Sequence, residues 1–409
     1  MNDKLDIYFS KVFCRMRHKT QLFNGAADDH YHTRLQHTIE VEEIALRMAK
    51  KIMEIKPVIS LNLSKISSIA LLHDIGHTPF GHAGERALHD IVSGQCHNEY
   101  DLPNFQEMGV AIGFKHNINS GLLYLENTKF DKVDYDVLDG IVRHTRLYYK
   151  NQQNFDYGFK YIFHEHKEYY DNKGPKTLEG FIVAYADEIA QICSDYLDIC
   201  LDAQSNEEDI LFNCRPYNCL SILSGEKRIE AKSACDYLVD LFAKCFDKSS
   251  DFNNFENNEF IDIVDEFNEY RGNVIRNNPR IEKYDEESKT LIKKLYTYYF
   301  NNPFELTQDF FDDFVYRVKR IKYFMPRVYY TYIEPLSNSM DEVVDLISRS
   351  KEHIITNDKS STNRTVKDFQ SIYKMFIRSL AIHISKMTDD YATHKAKKIL
   401  DNEQALTII

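Results

Sequence analysis

The chain has 409 residues, 43% of them hydrophobic and 28% charged, with 14 Gly and 9 Pro. That balance excludes disordered, collagen-like and disulfide-scaffold proteins, and so few turn formers argue for helices over a many-stranded β fold. The net charge of −12 would repel a phosphate backbone over most of the surface, which makes the chain a poor general nucleic-acid binder yet leaves room for a polyanion at a local metal-bearing site.

In chain order, the first strong pattern predicts a helix over 34–56, where Leu35, Ile44, Ala45, Met48, Ile52 and Ile55 recur until Pro57 stops them. A second helix is expected from Ser64 as N-cap, through Ile66, Ile69, Ala70 and Leu72, to Asp74, ahead of Gly76 and Pro79. A third begins near Gly81–His82 and carries Ala87, Leu88, Ile91 and Val92; residues 93–113, with Gly94, Pro103, Gly109 and Gly113, read as a long connection. Helices are expected at 117–126 and 133–149, an irregular stretch at 151–176, and a strong helix at 177–201 behind Thr177 as N-cap. Further on, 248–260 and 355–364 read as loops, 288–300 and 366–400 as helices, and 316–330 as a basic, aromatic stretch. The expectation is an all-α fold, with a core at 1–204 and a mostly helical C-terminal region at 205–409. The 8 cysteines form no paired CxxC set and are expected as reduced buried thiols. No signal-type leader and no apolar run of membrane-span length is visible, so a cytoplasmic protein without membrane contact is expected.

Ten of the 16 histidines fall within the first 116 residues, which marks that part as the chemical one. His73–Asp74 is the most informative pair, because it stands at a helix end before Gly76. Neighbours in a helix interior diverge by about 100°, whereas at an end the backbone can turn imidazole and carboxylate toward one ion. His37 on the preceding helix offers a second nitrogen and Asp187, inside AYADEIA, a second carboxylate. Two imidazoles and two carboxylates suit Mn, Fe, Mg, Co or Ni rather than a thiolate zinc site, and leave positions open for metal-assisted hydrolysis. HDIGHTPFGHAGE adds His77, His82 and Glu85, with His82 and Glu85 three apart on one helix face. A carboxylate beside an imidazole is an acid–base arrangement, and His116 in FKHN is a further candidate.

These residues carry a resemblance. FCRMRHKTQLF (13–23), YHTRLQHTIEVEEIA (31–45), ALLHDIGHTPFGHAGE (70–85), FKHN (114–117), TLEGFIVAYADEIA (177–190) and ISKMTDDYA (384–392) resemble the deoxyguanosine-triphosphate triphosphohydrolase family of HD-domain proteins. The resemblance implies an HD-domain helical fold that hydrolyses (deoxy)nucleoside triphosphates, dGTP or several dNTPs, to nucleoside and tripolyphosphate. It implies a divalent metal on His37, His73, Asp74 and Asp187, a His82–Glu85 dyad, and His77 and His116 against the α-phosphate or as proton donors. It sets Gln21 and Asp195 at the sugar 3′-hydroxyl and Arg34 at the triphosphate. It further implies a homo-oligomer, tetramer or hexamer, with room for a nucleotide activator, and a C-terminal region that completes the substrate site and the oligomer interface.

Two positions and one segment depart from the family pattern. Gln191 stands where the family often has Tyr, Ser194 where it has His, and the C-terminal segment reads Lys386-Met387-Thr388-Asp389-Asp390-Tyr391-Ala392 rather than GMTDR-aromatic-Ala. The Gln191 change bears on sugar discrimination, and the last on assembly or substrate contacts. Two rival readings remain at this level. One is another HD phosphohydrolase, a nucleotidase or phosphodiesterase. The other is a nucleic-acid-binding regulator without turnover, resting on Arg317, Lys319, Arg320, Lys322 and Arg327 interleaved with Tyr316, Tyr323, Phe324, Tyr329 and Tyr330.

Overall fold

The computed structural model describes residues 4–21, 32–96, 100–128, 132–145, 162–163, 166, 169, 174–201, 231–248, 252, 255, 258–323, 325–336, 339–356 and 363–406. Its helices are α1 (Lys4–Tyr8), α2 (Lys11–Cys14), α3 (Arg34–Ile55), α4 (Leu63–Leu72), α5 (Gly81–Val92), α6 (His116–Asn127), α7 (Tyr135–Val142) and α8 (Leu178–Leu201), then α9 (Ala231–Lys248), α10 (Glu259–Asn277), α11 (Pro279–Asn301), α12 (Gln308–Lys319), α13 (Met340–Thr356), α14 (Arg364–Ser385) and α15 (Asp389–Leu406). Short helical turns fill 15–18, 303–305, 320–323 and 326–333. Among the described residues the fold is all-α, and the extended pairing is a single bridge between Thr20 and Thr33.

The segments expected as helices formed as helices, with differences at their ends and one internal break. α4 is capped by Asn62, whose side chain accepts from the Lys65 N–H, rather than by Ser64. The helix expected over 133–149 stops at Val142, where Arg143 turns the chain, and 146–150 lie outside the described residues. Thr177 caps α8 as expected, its hydroxyl accepting from the Gly180 N–H at 3.2 Å. The helix expected over 366–400 is two. The chain breaks at 386–388, and Thr388 restarts it by accepting from the Tyr391 N–H. No Gly or Pro marks that break.

The chain divides into two compact units, the first drawn from residues 1–76, 120–151 and 171–285, the second from 77–119, 152–170 and 286–409. In the first, α3 packs against α4, α8 and α9, and α7 lies on α4 and α8. α3 buries Val41, Ala45, Met48, Ala49 and Ile52 at helical spacing. α7 approaches α4 and α8 closely because Gly140 has no side chain: a Cβ there would stand 2.7 Å from Ile69, and one on Gly180 would stand 3.2 Å from the Gly140 Cα. In a chain without Trp, Phe and Tyr fill the space between α8, α9 and α10. Phe181, Tyr185, Phe242, Phe255 and Phe260 form one cluster, with the Phe242 and Phe255 centroids 4.9 Å apart. Each buried ring contributes about 1.5–3 kcal/mol by area.

In the second unit α14 packs against α12, α13 and α5 and buries Ile372, Tyr373, Phe376, Ile377, Leu380 and Ala381. Lys386, at the α14–α15 corner, donates to Asp313 of α12 at 2.7 Å. No described helix is long and apolar enough to cross a membrane. The described cysteines 14, 96, 193, 235 and 245 are free thiols.

Candidate functional site

Chemistry-bearing residues gather in both units. In the first, the buried face of α3 presents Arg34 and His37, one turn apart, behind Thr33 as N-cap. α4 ends at His73–Asp74, and α8 contributes Asp187 from an apolar run. The structure brings His37, His73, Asp74 and Asp187 together as the spacing suggested. His37 Nε2 donates to Asp187 Oδ1 at 2.9 Å, and His73 Nε2 stands 3.7 Å from both Asp74 Oδ2 and Asp187 Oδ1. A further imidazole joins them. His144, just past α7, lies 4.9 Å from the His73 ring with Nε2 3.8 Å from Asp74 Oδ1. Sequence reasoning missed it, because a single histidine after a helix has no spacing signature. The one signal was its place behind the apolar helix 135–142.

These residues fit a divalent cation. His73 and His144 each donate through Nδ1 to a backbone carbonyl, Ala70 at 2.7 Å and Ile141 at 2.6 Å. That bond fixes the tautomer and turns Nε2 toward the carboxylates, as outer-shell bonds do at metal sites. His73 Nε2 is buried without a hydrogen-bond partner among the described residues, a cost normally met by a ligand or ion. Two buried carboxylates need positive charge. Arg34 supplies some, Nη1 donating to Asp74 Oδ2 at 2.5 Å, while its Nε and Nη2 are buried without partners among the described residues. His37 lies against the other carboxylate. Burial opposes its charge, but the bond and charge of Asp187 and the charge of Asp74 outweigh burial and raise its pKa. Burial also opposes the Asp187 charge, yet the His37 bond and the nearby imidazoles depress its pKa far below the carboxylate range.

The second unit holds the other cluster. The chain reaches α5 through a strained turn: Phe80 adopts φ 60° and ψ 28°, and Gly81 follows at φ 56°. A left-handed Phe costs about 1–3 kcal/mol, so the turn must be held from several sides. The Thr78 hydroxyl donates to the Gly81 carbonyl at 2.7 Å, and Asp389 Oδ1 accepts the Phe80 N–H at 2.9 Å. Gly84 lets the Pro79 carbonyl close in, since a Cβ there would lie 2.1 Å from that oxygen. α5 then presents His82 and Glu85. Ligand atoms of His77, His82, Glu85 and His116 all lie within 4.8 Å of one another. His116 is hydrogen-bonded to Glu85: Nδ1 and the backbone N–H both meet Oε2, the latter at 3.0 Å. Glu85 turns inward, where those donors and Lys115 Nζ, 2.5 Å from Oε1, await it, while His82 of the same helix face is exposed. His77 stacks on His116 with centroids 4.1 Å apart. Burial pushes the Glu85 pKa up, but the charge and bond of His116 and the Lys115 ammonium outweigh it and hold the carboxyl well below its usual range. A carboxylate held ionised at neutral pH thus orients an imidazole for proton exchange through its other nitrogen.

The remaining candidates fall as follows. Gln191 Nε2 donates to Asp187 Oδ1 at 3.0 Å, so it touches a candidate metal ligand directly. Gln21 Oε1 is buried without a partner among the described residues, and Asp195 is buried two turns beyond Asp187 on α8. In the basic, aromatic stretch Arg317 and Arg320 are buried while Lys319 and Lys322 are exposed, so these charges do not share one solvent face. Phe324 lies outside the described residues.

Residues 34–192 match the family model described as HD domain. The chain is 35% identical over 213 residues to a deoxyguanosinetriphosphate triphosphohydrolase-like protein of Clostridium tetani, covering 51% of this chain and 48% of that protein. Proteins of the same description from Desulfatibacillum aliphaticivorans (26% identity, 73% of each chain) and Caldanaerobacter subterraneus (28% identity, 75% of this chain and 74% of that one) match over a longer span. The chain thus spans about half the length of the first relative and nearly three quarters of the other two.

Proposed function

From an HD domain in this chain and deoxyguanosinetriphosphate triphosphohydrolase-like relatives, we propose that the protein hydrolyses (deoxy)nucleoside triphosphates, dGTP or several dNTPs, to nucleoside and tripolyphosphate. The observation that carries this reading is the buried set His37, His73, Asp74 and Asp187 with the His73 Nε2 left over. These four hold a divalent ion, with His144 beside them. When bound, the ion supplies Lewis-acid neutralisation of charge on a phosphate.

The chain's own groups do the rest. Arg34 turns its two remaining donors to the triphosphate. The Gln21 carbonyl oxygen and Asp195 accept from the sugar 3′-hydroxyl, which would satisfy the orphaned Gln21 Oε1. Water attacks the α-phosphorus, the bond to the 5′-oxygen breaks, and that oxygen takes a proton from a histidine among His77, His82 and His116. Glu85 stays ionised and holds His116 in the tautomer that presents Nε2.

The test is to incubate pure protein with each dNTP and NTP plus Mn or Mg and to identify the phosphate released. Tripolyphosphate is expected. Orthophosphate or pyrophosphate would overturn the reading in favour of another HD phosphohydrolase.

A further inference from the structure

We propose that the corner between α14 and α15, acting through Ser385 and Asp389, is a positioning element that sets the geometry of the Glu85–His116 pair. What the pair does rests on the function proposed above; that the corner sets its geometry does not.

The pair is assembled from two separate pieces of chain. Glu85 comes from the first turn of α5 and His116 from the first residue of α6. Each piece is tied to the same corner by a side-chain hydrogen bond. On one side Asp389 Oδ1 accepts the N–H of Phe80, the left-handed residue on which α5 starts. On the other, Asn119 Nδ2 donates to Ser385 Oγ at 2.8 Å, and Asn119 lies one turn beyond His116 on α6. Ser385 Oγ donates in turn to the Ile382 carbonyl at 2.8 Å, which fixes the lone pair it offers to Asn119. The corner is itself anchored, since Lys386 donates to Asp313.

A left-handed Phe persists only where its surroundings over-determine it. Thr78 and Gly84 hold the turn from within. Asp389, 309 residues away in sequence, holds it from without. If Asp389 lets go, Phe80 can relax to an ordinary conformation, and α5 re-aims His82 and Glu85. If Ser385 lets go, the first turn of α6 shifts instead, and with it His116.

The test compares Asp389→Ala, Asp389→Asn and Ser385→Ala in the full chain. Asn keeps the Oδ1 acceptor; Ala removes it. The primary readout needs no turnover: titration of histidine side chains by NMR on 15N-histidine protein, with the His116 signal identified by its loss in His116→Gln. Within its own unit the charged and titratable groups facing His116 include Glu85, Lys115, His77 and His82. Asp389→Ala and Ser385→Ala should move the His116 midpoint by about half a pH unit or more, and Asp389→Asn should return it to the wild-type value. Where turnover is present, kcat should fall about 10–100-fold in Asp389→Ala with KM held, since a small misplacement of a reacting group costs that much. A His116 titration unchanged in Asp389→Ala, even with a lowered melting temperature, would overturn the proposal and leave Asp389 a purely structural residue. So would Asp389→Asn behaving like Asp389→Ala. If Asp389→Ala does not fold, Ser385→Ala decides: a shifted His116 midpoint supports the proposal and an unshifted one overturns it. A wild-type protein without turnover would sink the proposed function while leaving the NMR comparison intact.

Discussion

Asp187 Oδ1 accepts from two donors, His37 at 2.9 Å and Gln191 at 3.0 Å, so one carboxylate ties both side chains together. Asp187→Ala should abolish metal binding and turnover together while helicity, resting on the apolar faces of α3 and α8, is retained. Metal analysis after gel filtration, with circular dichroism, checks this, and full turnover with undiminished metal would refute it. Gln191 offers a donor and an acceptor where the family that the sequence resembles often has Tyr, so on the proposed function a 2′-hydroxyl would be accommodated beside it. Gln191→Tyr should raise the dNTP-over-NTP ratio of kcat/KM, by no more than about 10²-fold. It should also weaken metal binding, because Asp187 loses a donor. A wild-type preference above about 10³, untouched by the substitution, would sink the sugar argument. At the second cluster, Glu85→Gln should lower kcat by about 10²–10⁴ with KM held, measured under saturating nucleotide. Four of the residues in the first cluster were legible because His37, the His73–Asp74 pair and Asp187 each sit on a recognisable helix or helix end. His144 was not, and neither was the bond between Glu85 and His116, which depends on a side-chain direction that i, i+3 spacing leaves open.

Up to residue 201 helices were legible from apolar stripes at a period of 3.6 residues, whereas α9, α10, α12 and α13 were covered only by the expectation of a mostly helical C-terminal region. α3 and α8 match their expected spans nearly to the residue, since Pro57 closes one and Thr177 opens the other. The break at 386–388 was hidden because apolar residues continue on both sides of it, and its only signal is Thr388 followed by Asp389 and Asp390. The turn before α5 was read as a Gly/Pro boundary, but its left-handed Phe80 was not foreseeable, since nothing in a Phe favours that conformation. Gly84 shows how much that turn depends on bare backbone. An added Cβ would meet the Pro79 carbonyl, a backbone atom with no freedom to swing aside. Gly84→Ala should therefore destabilise the protein by about 1–3 kcal/mol, read as a lower urea midpoint with an unchanged slope. A variant as stable as wild type would mean that the turn tolerates a shift.

Stability of the whole molecule should carry the mark of Glu85. Its folded-state pKa lies below the ordinary value, so its contribution is full above about pH 4.3 and is lost as pH falls through the depressed value. Urea unfolding at falling pH should show the wild type losing stability through this window faster than Glu85→Gln, and parallel curves would count against the assignment. The all-α architecture was legible from composition and periodicity. The two units were beyond a linear reading, because each is stitched from separated stretches of chain. That stitching has a consequence in time. The candidate metal ligands are all synthesised by residue 187, but the carboxylate that holds the Phe80 turn arrives 309 residues after it. At a synthesis rate of about 5–20 residues per second, a growing chain spends on the order of 10–40 s with its candidate metal ligands made and its second cluster unanchored. On the proposed function, such a chain would act on nucleotide only once the corner at 385–389 has docked against the Phe80 turn and α6.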